Sequence, residues 1–536
     1  MKGAKHILAL LACLLLCTAS QAVQIRREPG SRIPESVLPT DRDDPALWTV
    51  SNDRLTRAAN PGQYAIKNVP RTGTVESLLI LVDFDTCSFR IKDEQKLVEY
   101  YERAFNEHGY VDPNVYERNG VKYPGVTGSV NDYFRAQSYG QYNPVFNIIG
   151  PIHLTEGYSY YGKNNINKLD GQGVKVMVRE ICDSLTARGI NLAGYATDKV
   201  VYQFSVIYAG KGENSNPSDP DLIWPQAAKL DYTYRDKNGT SIPLTIEFSC
   251  SCELFWDTDT IPDGIGTFCH EFSHTLGLPD FYNTSSQQIS ESNAAMGFWS
   301  LMDYGSYGNG GFSPVGYTAF EKYSLGWMDI EEIGYDGFYY LNDISRKPDP
   351  DAGIHCAYRL NTGNDNQFII LENHLKTGWY QYHAAEGLMV TAVNYNKDIW
   401  TGNDLNSNSS NKRYCILPAD NDYNRYTNAG DLFPYYTTDS ITTLGTPQLK
   451  AGTSFPSYSI YKIRRQDSLV VFLAGKDLPT RVESQPAATT KVTVHDLSGK
   501  KVMEFDTTDP TQEIELPKGI WIVKSGNTVR KLRIEN

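Results

Sequence analysis

Two histidines stand four residues apart in "GTFCHEFSHTLGLPDFY" (266–282), with Glu271 beside the first. On a helix, His270 and His274 share a face about one turn apart. Two imidazoles so placed can meet one Zn²⁺ at bond lengths near about 2.0–2.1 Å, while Glu271 reaches a water on that ion without being a ligand. With nine histidines in 536 residues the pair alone is a weak signal, and the residues that follow decide. Gly277 comes directly after the helix, where a left-handed cap favours glycine and lets the chain turn back. Asp280 arrives ten residues after His270 as a carboxylate suited to be the third ligand, with Glu291 as the nearby competitor for that role. Such a set points to hydrolysis by metal-activated water, with Glu271 as general base.

A second segment agrees. "WSLMDYGSYG" (299–308) places Met302 in a turn-rich stretch 28 residues after His274, with Tyr304 two residues further on.

These residues need a frame. Ile265, Phe268, Phe272 and Leu276 recur at spacings of 3, 4 and 4, which predicts a helix over 264–276 with one apolar face. Upstream, Val75 to Phe84 is a continuous apolar run, as for a strand buried on both faces. "KDEQKLVEYYERAFNEHG" and "VKVMVREICDSLTARGI" read as helices stopped by Gly109 and Gly189, and "VVYQFSVIYAG" (200–210) reads as a second buried strand. This alternation predicts an α/β layer. "PLTIEFS" (243–249) is a further strand and the candidate edge along which an extended peptide would lie. From about 330 to 475 short strands and turns predominate ("GFYYL", "QFIILEN", "GLMVTAVNY", "SLVVFLAG"), predicting a β-rich region. The linker-like "PTRVESQPAATT" precedes a last β module.

Composition bounds the rest. A net charge of −13 with no basic cluster beyond the first residues argues against nucleic acid as a partner. "MKGAKHILALLACLLLCTASQAVQ" reads as a secretory signal peptide cut after Ala22, and no later apolar run is long enough to span a bilayer. Seven cysteines then remain, an odd and sparse set that is not a disulfide framework. Residues 23–72 read as a leader or prosegment, in which Asp41, Asp43 or Asp44 are candidates to cap the metal. The polar loop "NSNPSDPD" (214–221) is a candidate structural Ca²⁺ site, with a solvated loop as the plainer reading.

The segments "IGTFCHEFSHTLGLPDFY" and "MGFWSLMDYGSYG" resemble the immune inhibitor A family of secreted bacterial zinc metallopeptidases. The likeness continues through "LLILVDFD", "VNDYFRAQSYGQYNP" and "VIYAGKGE", then "FIILENHLKTGWYQ", "EGLMV" and "AGDLFP", covering about residues 75–435. It implies an α/β (α+β) metzincin-like catalytic domain with Met302 in a Met-turn and Tyr304 as a donor to the developing oxyanion, followed by β-rich domains, and protein or peptide substrates. Two departures stand out. Ser273 occupies a position where the family usually has glycine, and "LMVTAVNY" lacks a histidine often found there. The tail, with Val494–Lys500 and Leu516–Ile520, resembles the sorting domain of type IX secretion, which implies a secretion-machinery partner. The organisation expected is a signal peptide at 1–22, prosegment at 23–72, catalytic domain at 73–330, β-rich domain at 331–478 and sorting module at 485–536. A non-catalytic adhesin and a cell-wall amidase are the alternatives.

Overall fold

The computed structural model describes residues 56–57, 64–67, 69–162, 172–216, 219–255, 260–284, 295–408, 412–422, 427–441, 456–475, 490–507, 519–525 and 528–534. The signal peptide, Asp41, Asp43, Asp44 and Glu291 lie outside these residues, as do nearly all of 23–63 and part of the loop 214–221.

The first half runs Thr56–Arg57 (β1), Gly73–Phe84 (β2), helix Glu94–Asn106 (α1), a hairpin of Val115–Arg118 (β3) and Val121–Pro124 (β4), then helix Val130–Gln137 (α2). Tyr142–Leu154 (β5), short helix Tyr158–Gly162 (α3), helix Gln172–Ala187 (α4), Val200–Lys211 (β6), Gln226–Arg235 (β7), Ser241–Leu254 (β8) and helix Gly266–Leu276 (α5) follow. Five strands form one sheet in the order β5-β2-β6-β8-β7. All neighbours are parallel except β7, which runs antiparallel to β8. Leu78 to Val82 of β2 are fully buried, which accounts for the unbroken apolar run. Met177, Val178, Ile181 and Leu185 of α4 share a core with Leu78, Ile80 and Val82 of β2 and with Phe204 and Phe248. Phe105 of α1, Phe134 of α2 and Phe146 of β5 form an aromatic layer under α5.

One expectation needs correcting. Residues 243–249 are not an edge: β8 is paired on both sides, by β6 and β7. The edge position is taken by β7, whose alternation of buried and exposed residues (Leu230, Tyr232 and Tyr234 inward) fits a strand at a sheet border.

The second half contains Glu331–Glu332 (β9), Gly337–Leu341 (β10), Ala357–Asn361 (β11), Gln367–His374 (β12), Gly387–Asn394 (β13), Tyr414–Ile416 (β14), Ser459–Gln466 (β15) and Leu469–Gly475 (β16). They form two sheets, β1-β9-β11-β12-β13-β14 and β10-β16-β15, which share a core through Leu360, Leu371, Val390, Val470 and Phe472. Helix Ala319–Ser324 (α6) joins the halves. Its capping box pairs the Thr318 hydroxyl with the Glu321 amide, and the Glu321 carboxylate with the Thr318 amide. Thr490–His495, Lys501–Thr507, Gly519–Ser525 and Thr528–Ile534 (β17–β20) make a separate four-stranded sheet. Its first turn is built on Asp496, whose Oδ1 accepts from the Ser498 and Lys500 amides. Among the described residues no helix is long and apolar enough to cross a membrane, and Cys182, Cys250, Cys252, Cys269, Cys356 and Cys415 are free thiols.

The stretch before β2 is built into this frame. β1 pairs with β9. Tyr64 is buried among Phe320, Tyr323, Phe368 and Tyr395. Ile66 N–H donates to the carbonyl of Gly277 at 3.0 Å, Arg71 to that of Leu276 at 3.2 Å, and Lys67 pairs with Glu247 at 2.6 Å. A chain shortened to begin at Gly73 should therefore lose about 10 °C or more in Tm, against about 2 °C for an unimportant leader. Calorimetry of the two forms reads this directly.

Glu321 supplies a pH test. Burial, outweighing hydrogen bonds from Ser300 and Thr318, pushes its carboxyl up to about 7 from an ordinary 4.5. Between those values the folded state holds a proton that the unfolded chain releases. The group's contribution to stability is thus complete below pH 4.5 and lost as pH rises through about 7. Glu321→Gln should gain in Tm relative to wild type on going from pH 5 to pH 8, whereas a constant difference contradicts this assignment.

Candidate active site

Helix α5 starts at Gly266, two residues later than the periodicity predicts. A Cβ at Gly266 would stand 1.9 Å from the Ser306 carbonyl oxygen, so only glycine lets the helix press against the segment after Met302. Phe268, Phe272 and Leu276 face the aromatic layer, as their spacing predicts. At the other end Gly277 adopts φ +107°, and the amides of Gly277 and Leu278 both donate to the Ser273 carbonyl. Ser273, the departure from the family pattern, is fully buried and fits. Its hydroxyl donates to the Cys269 carbonyl at 2.5 Å and also meets the Tyr317 hydroxyl.

The reversal after Gly277 brings three side chains together. Among the described residues, His270, His274 and Asp280 are the one group of three or more potential ligands whose donor atoms all lie within 4.8 Å of one another. Asp280 Oδ1 is 3.0 Å from His270 Nε2 and 3.2 Å from His274 Nε2. The other ring nitrogens are engaged: His270 Nδ1 lies 2.8 Å from the Leu301 carbonyl oxygen, and His274 Nδ1 lies 2.7 Å from that of Leu278. A carbonyl oxygen only accepts, so each Nδ1 carries the proton, and a neutral ring presents its Nε2 lone pair to the carboxylate. Without a metal ion such contacts need a proton on Nε2; with one bound, both lone pairs and Asp280 Oδ1 can converge on it. The donor set therefore fits a divalent metal, with carbonyl-fixed imidazoles of the kind that surround metal centres.

The electrostatics follow. Burial works against charge on His270, but the hydrogen bond to Asp280 and the charges of Glu271 and Asp280 hold its ring up at about 9. Burial likewise opposes charge on Asp280, yet His274 and His270 keep its carboxyl well below the usual range. Burial pushes Glu271 up, against the pull of both histidines.

Met302 is fully buried, its carbonyl accepting from the amide of Phe281, the neighbour of Asp280, at 2.8 Å. Ser300 shapes its turn: the Ser300 carbonyl accepts from the Gly305 amide and the hydroxyl from the Met302 amide. His270, Glu271, Tyr304, Tyr282, Tyr307 and Trp224 share a cleft with Asp303 and Thr267.

Sequence reasoning passed over several of these residues. Tyr282 lies in the quoted motif, its ring 6.3 Å from that of His270, yet a tyrosine among 36 carries little signal by itself. Asp303 was read only as part of a turn. Its Oδ2 accepts from the amides of Ala295, Met296 and Gly297. Asn403, which contacts Asp280 from 123 residues away, carried no local signal.

The profile of the immune inhibitor A peptidase M6 catalytic domain matches residues 66–334. Two relatives are the pre-pro-metalloprotease PrtV of Vibrio cholerae serotype O1, from strains M66-2 and El Tor Inaba N16961. Each is 25% identical over 283 residues, covering 48% of this chain. The chain spans 29% of the length of these relatives. After chelation and dialysis, wild type should take up a single zinc per chain, and His274→Ala should bind it about a hundredfold more weakly. Elemental analysis and competition titration would show the difference, and equal affinity would remove His274 from the site.

Proposed function

Since the chain belongs to the immune inhibitor A peptidase M6 family, we propose that it is a zinc-dependent endopeptidase that cleaves extracellular proteins or peptides. The observation that carries this reading is the convergence of His270 Nε2, His274 Nε2 and Asp280 Oδ1 beside Glu271 in an aromatic-walled cleft. The metzincin-like features that support it are the α5 motif, the glycine cap and the buried Met302 turn.

His270, His274 and Asp280 would hold the ion. When bound, zinc supplies Lewis acidity, which polarises a carbonyl and lowers the pKa of water toward about 7. Glu271 takes the proton of the attacking water and returns it to the departing amine nitrogen. Its burial favours the first step, because a carboxylate held above its ordinary range is the stronger base. Tyr304 donates to the oxygen that becomes negative, a contact worth about 3 kcal/mol. An extended substrate lies along β7, whose outer edge has no strand beside it among the described residues. Trp224 and Pro225, immediately before β7, line the cleft and so lead that edge to Glu271.

The wider organisation is part of the same reading: export through residues 1–22, a prosegment before the catalytic region, a β-rich domain from 331 and a tail read by secretion machinery. The turn built on Asp496 supports that last element.

Glu271→Gln should retain zinc while kcat/KM on a denatured protein substrate falls about 10³-fold. Tyr304→Phe should lower kcat about 10²-fold with little change in KM. Full activity of Glu271→Gln sinks the mechanism, and wild-type cleavage of peptidoglycan but of no peptide bond in protein sinks the substrate class.

A further inference from the structure

The position of Asp280 is set largely from outside the catalytic motif. The loop after helix Lys397–Thr401 (α7), in the β-rich half, reaches it with Asn403. Asn403 Nδ2–H donates to Asp280 Oδ2 at 2.6 Å, and Asn403 Oδ1 accepts the Asp280 backbone N–H at 2.7 Å. One primary amide thus fixes the main chain and the outer carboxylate oxygen together, leaving Oδ1 turned to the two imidazoles. The same loop grips the residues beyond. The Asn403 carbonyl accepts from Thr284 Oγ1–H at 2.9 Å, and Asn406 Nδ2–H donates to the Phe281 carbonyl at 2.7 Å. Asn403 has φ +57°, a conformation that asparagine tolerates better than most residues.

We propose that Asn403 is a positioning residue for Asp280, and that the β-rich half thereby completes the metal site of the catalytic half. The proposal rests on the reading of His270, His274 and Asp280 as zinc ligands. A carboxylate on a short stem is free to rotate about χ2 and to swing with its backbone. Tying Oδ2 and the amide removes both freedoms before the ion arrives, and loss of such a partner typically weakens metal binding about 10–100-fold. It follows that residues 66–334, the span of the family match, are not self-sufficient for tight metal binding.

The test is zinc affinity of the full chain, measured by competition with a chromogenic chelator, for wild type, Asn403→Gly, Asn403→Asp and Asn406→Ala. Glycine takes φ +57° without strain, so Asn403→Gly deletes the amide alone. Asn403→Asp keeps an acceptor for the Asp280 amide but sets a repelling charge against Oδ2. Asn403→Gly should bind zinc about 10–100-fold more weakly, with a zinc-free Tm close to wild type, and Asn403→Asp should lose at least as much. Asn406→Ala should lower Tm while leaving affinity within about threefold, because its side-chain amide meets only backbone groups of Phe281, Arg413 and Tyr414 and not Asp280. Affinity of Asn403→Gly within about twofold of wild type overturns the proposal, as does an equal loss in Asn406→Ala. If Asn403→Gly fails to fold, Asn403→Asp decides: undiminished zinc affinity overturns the proposal. Wild type that binds no zinc overturns the ligand reading itself, whereas wild type that binds with Asn403 variants unchanged overturns only the positioning role.

Discussion

Two carbonyl oxygens determine where the imidazoles of the site point. Leu301 holds His270 and Leu278 holds His274, each through Nδ1, so both Nε2 atoms are committed to one small volume beside Asp280. Hydrogen bonds of this kind are modest individually, about 1 kcal/mol each. Their larger effect is directional, since they select a tautomer and fix a ring plane. Neither carbonyl belongs to the helix that carries the histidines. Leu278 is placed by the left-handed reversal at Gly277, and Leu301 by the turn that Ser300 closes.

That dependence explains the density of buried polar groups behind the turn. Ser300 donates to Glu321 of the α6 capping box, Trp299 donates through Nε1 to Asp431, and the Asp303 carboxylate collects three backbone amides. Isolated charges in a dry interior are costly, and each of these carboxylates accepts from at least two donors. The network ties the Met302 turn to both halves of the chain, just as the Asn403 loop ties Asp280 to the second half. The site is a seam between an α/β layer and a β-rich layer: His270, His274 and Asp280 belong to the first, while part of their support belongs to the second.

How much of this was legible in the sequence depends on range. The α5 motif was readable because a 3.6-residue period and a glycine stop are local rules, and the three candidate ligands fall within eleven residues. The buried strands β2 and β6 showed as continuous apolar runs. β5 did not, because proline and asparagine interrupt "YNPVFNIIGPIHL". β7 was missed because "QAAKLDYTYR" alternates only over its second half, and the edge was assigned instead to the more apolar β8. Asn403 was invisible for a different reason. A left-handed asparagine in a polar loop is ordinary turn chemistry, and only the folded arrangement places it against an aspartate 123 residues earlier.

The central claim is that two imidazoles and one carboxylate meet a single ion. Zinc K-edge absorption fine structure of the purified, zinc-loaded chain tests it most directly. The account predicts a first shell of light scatterers only, with two imidazole nitrogens showing ring multiple scattering and oxygen from a carboxylate, at about 2.0–2.2 Å. A sulfur shell at about 2.3 Å from cysteine, or a spectrum without an imidazole signature, would contradict it.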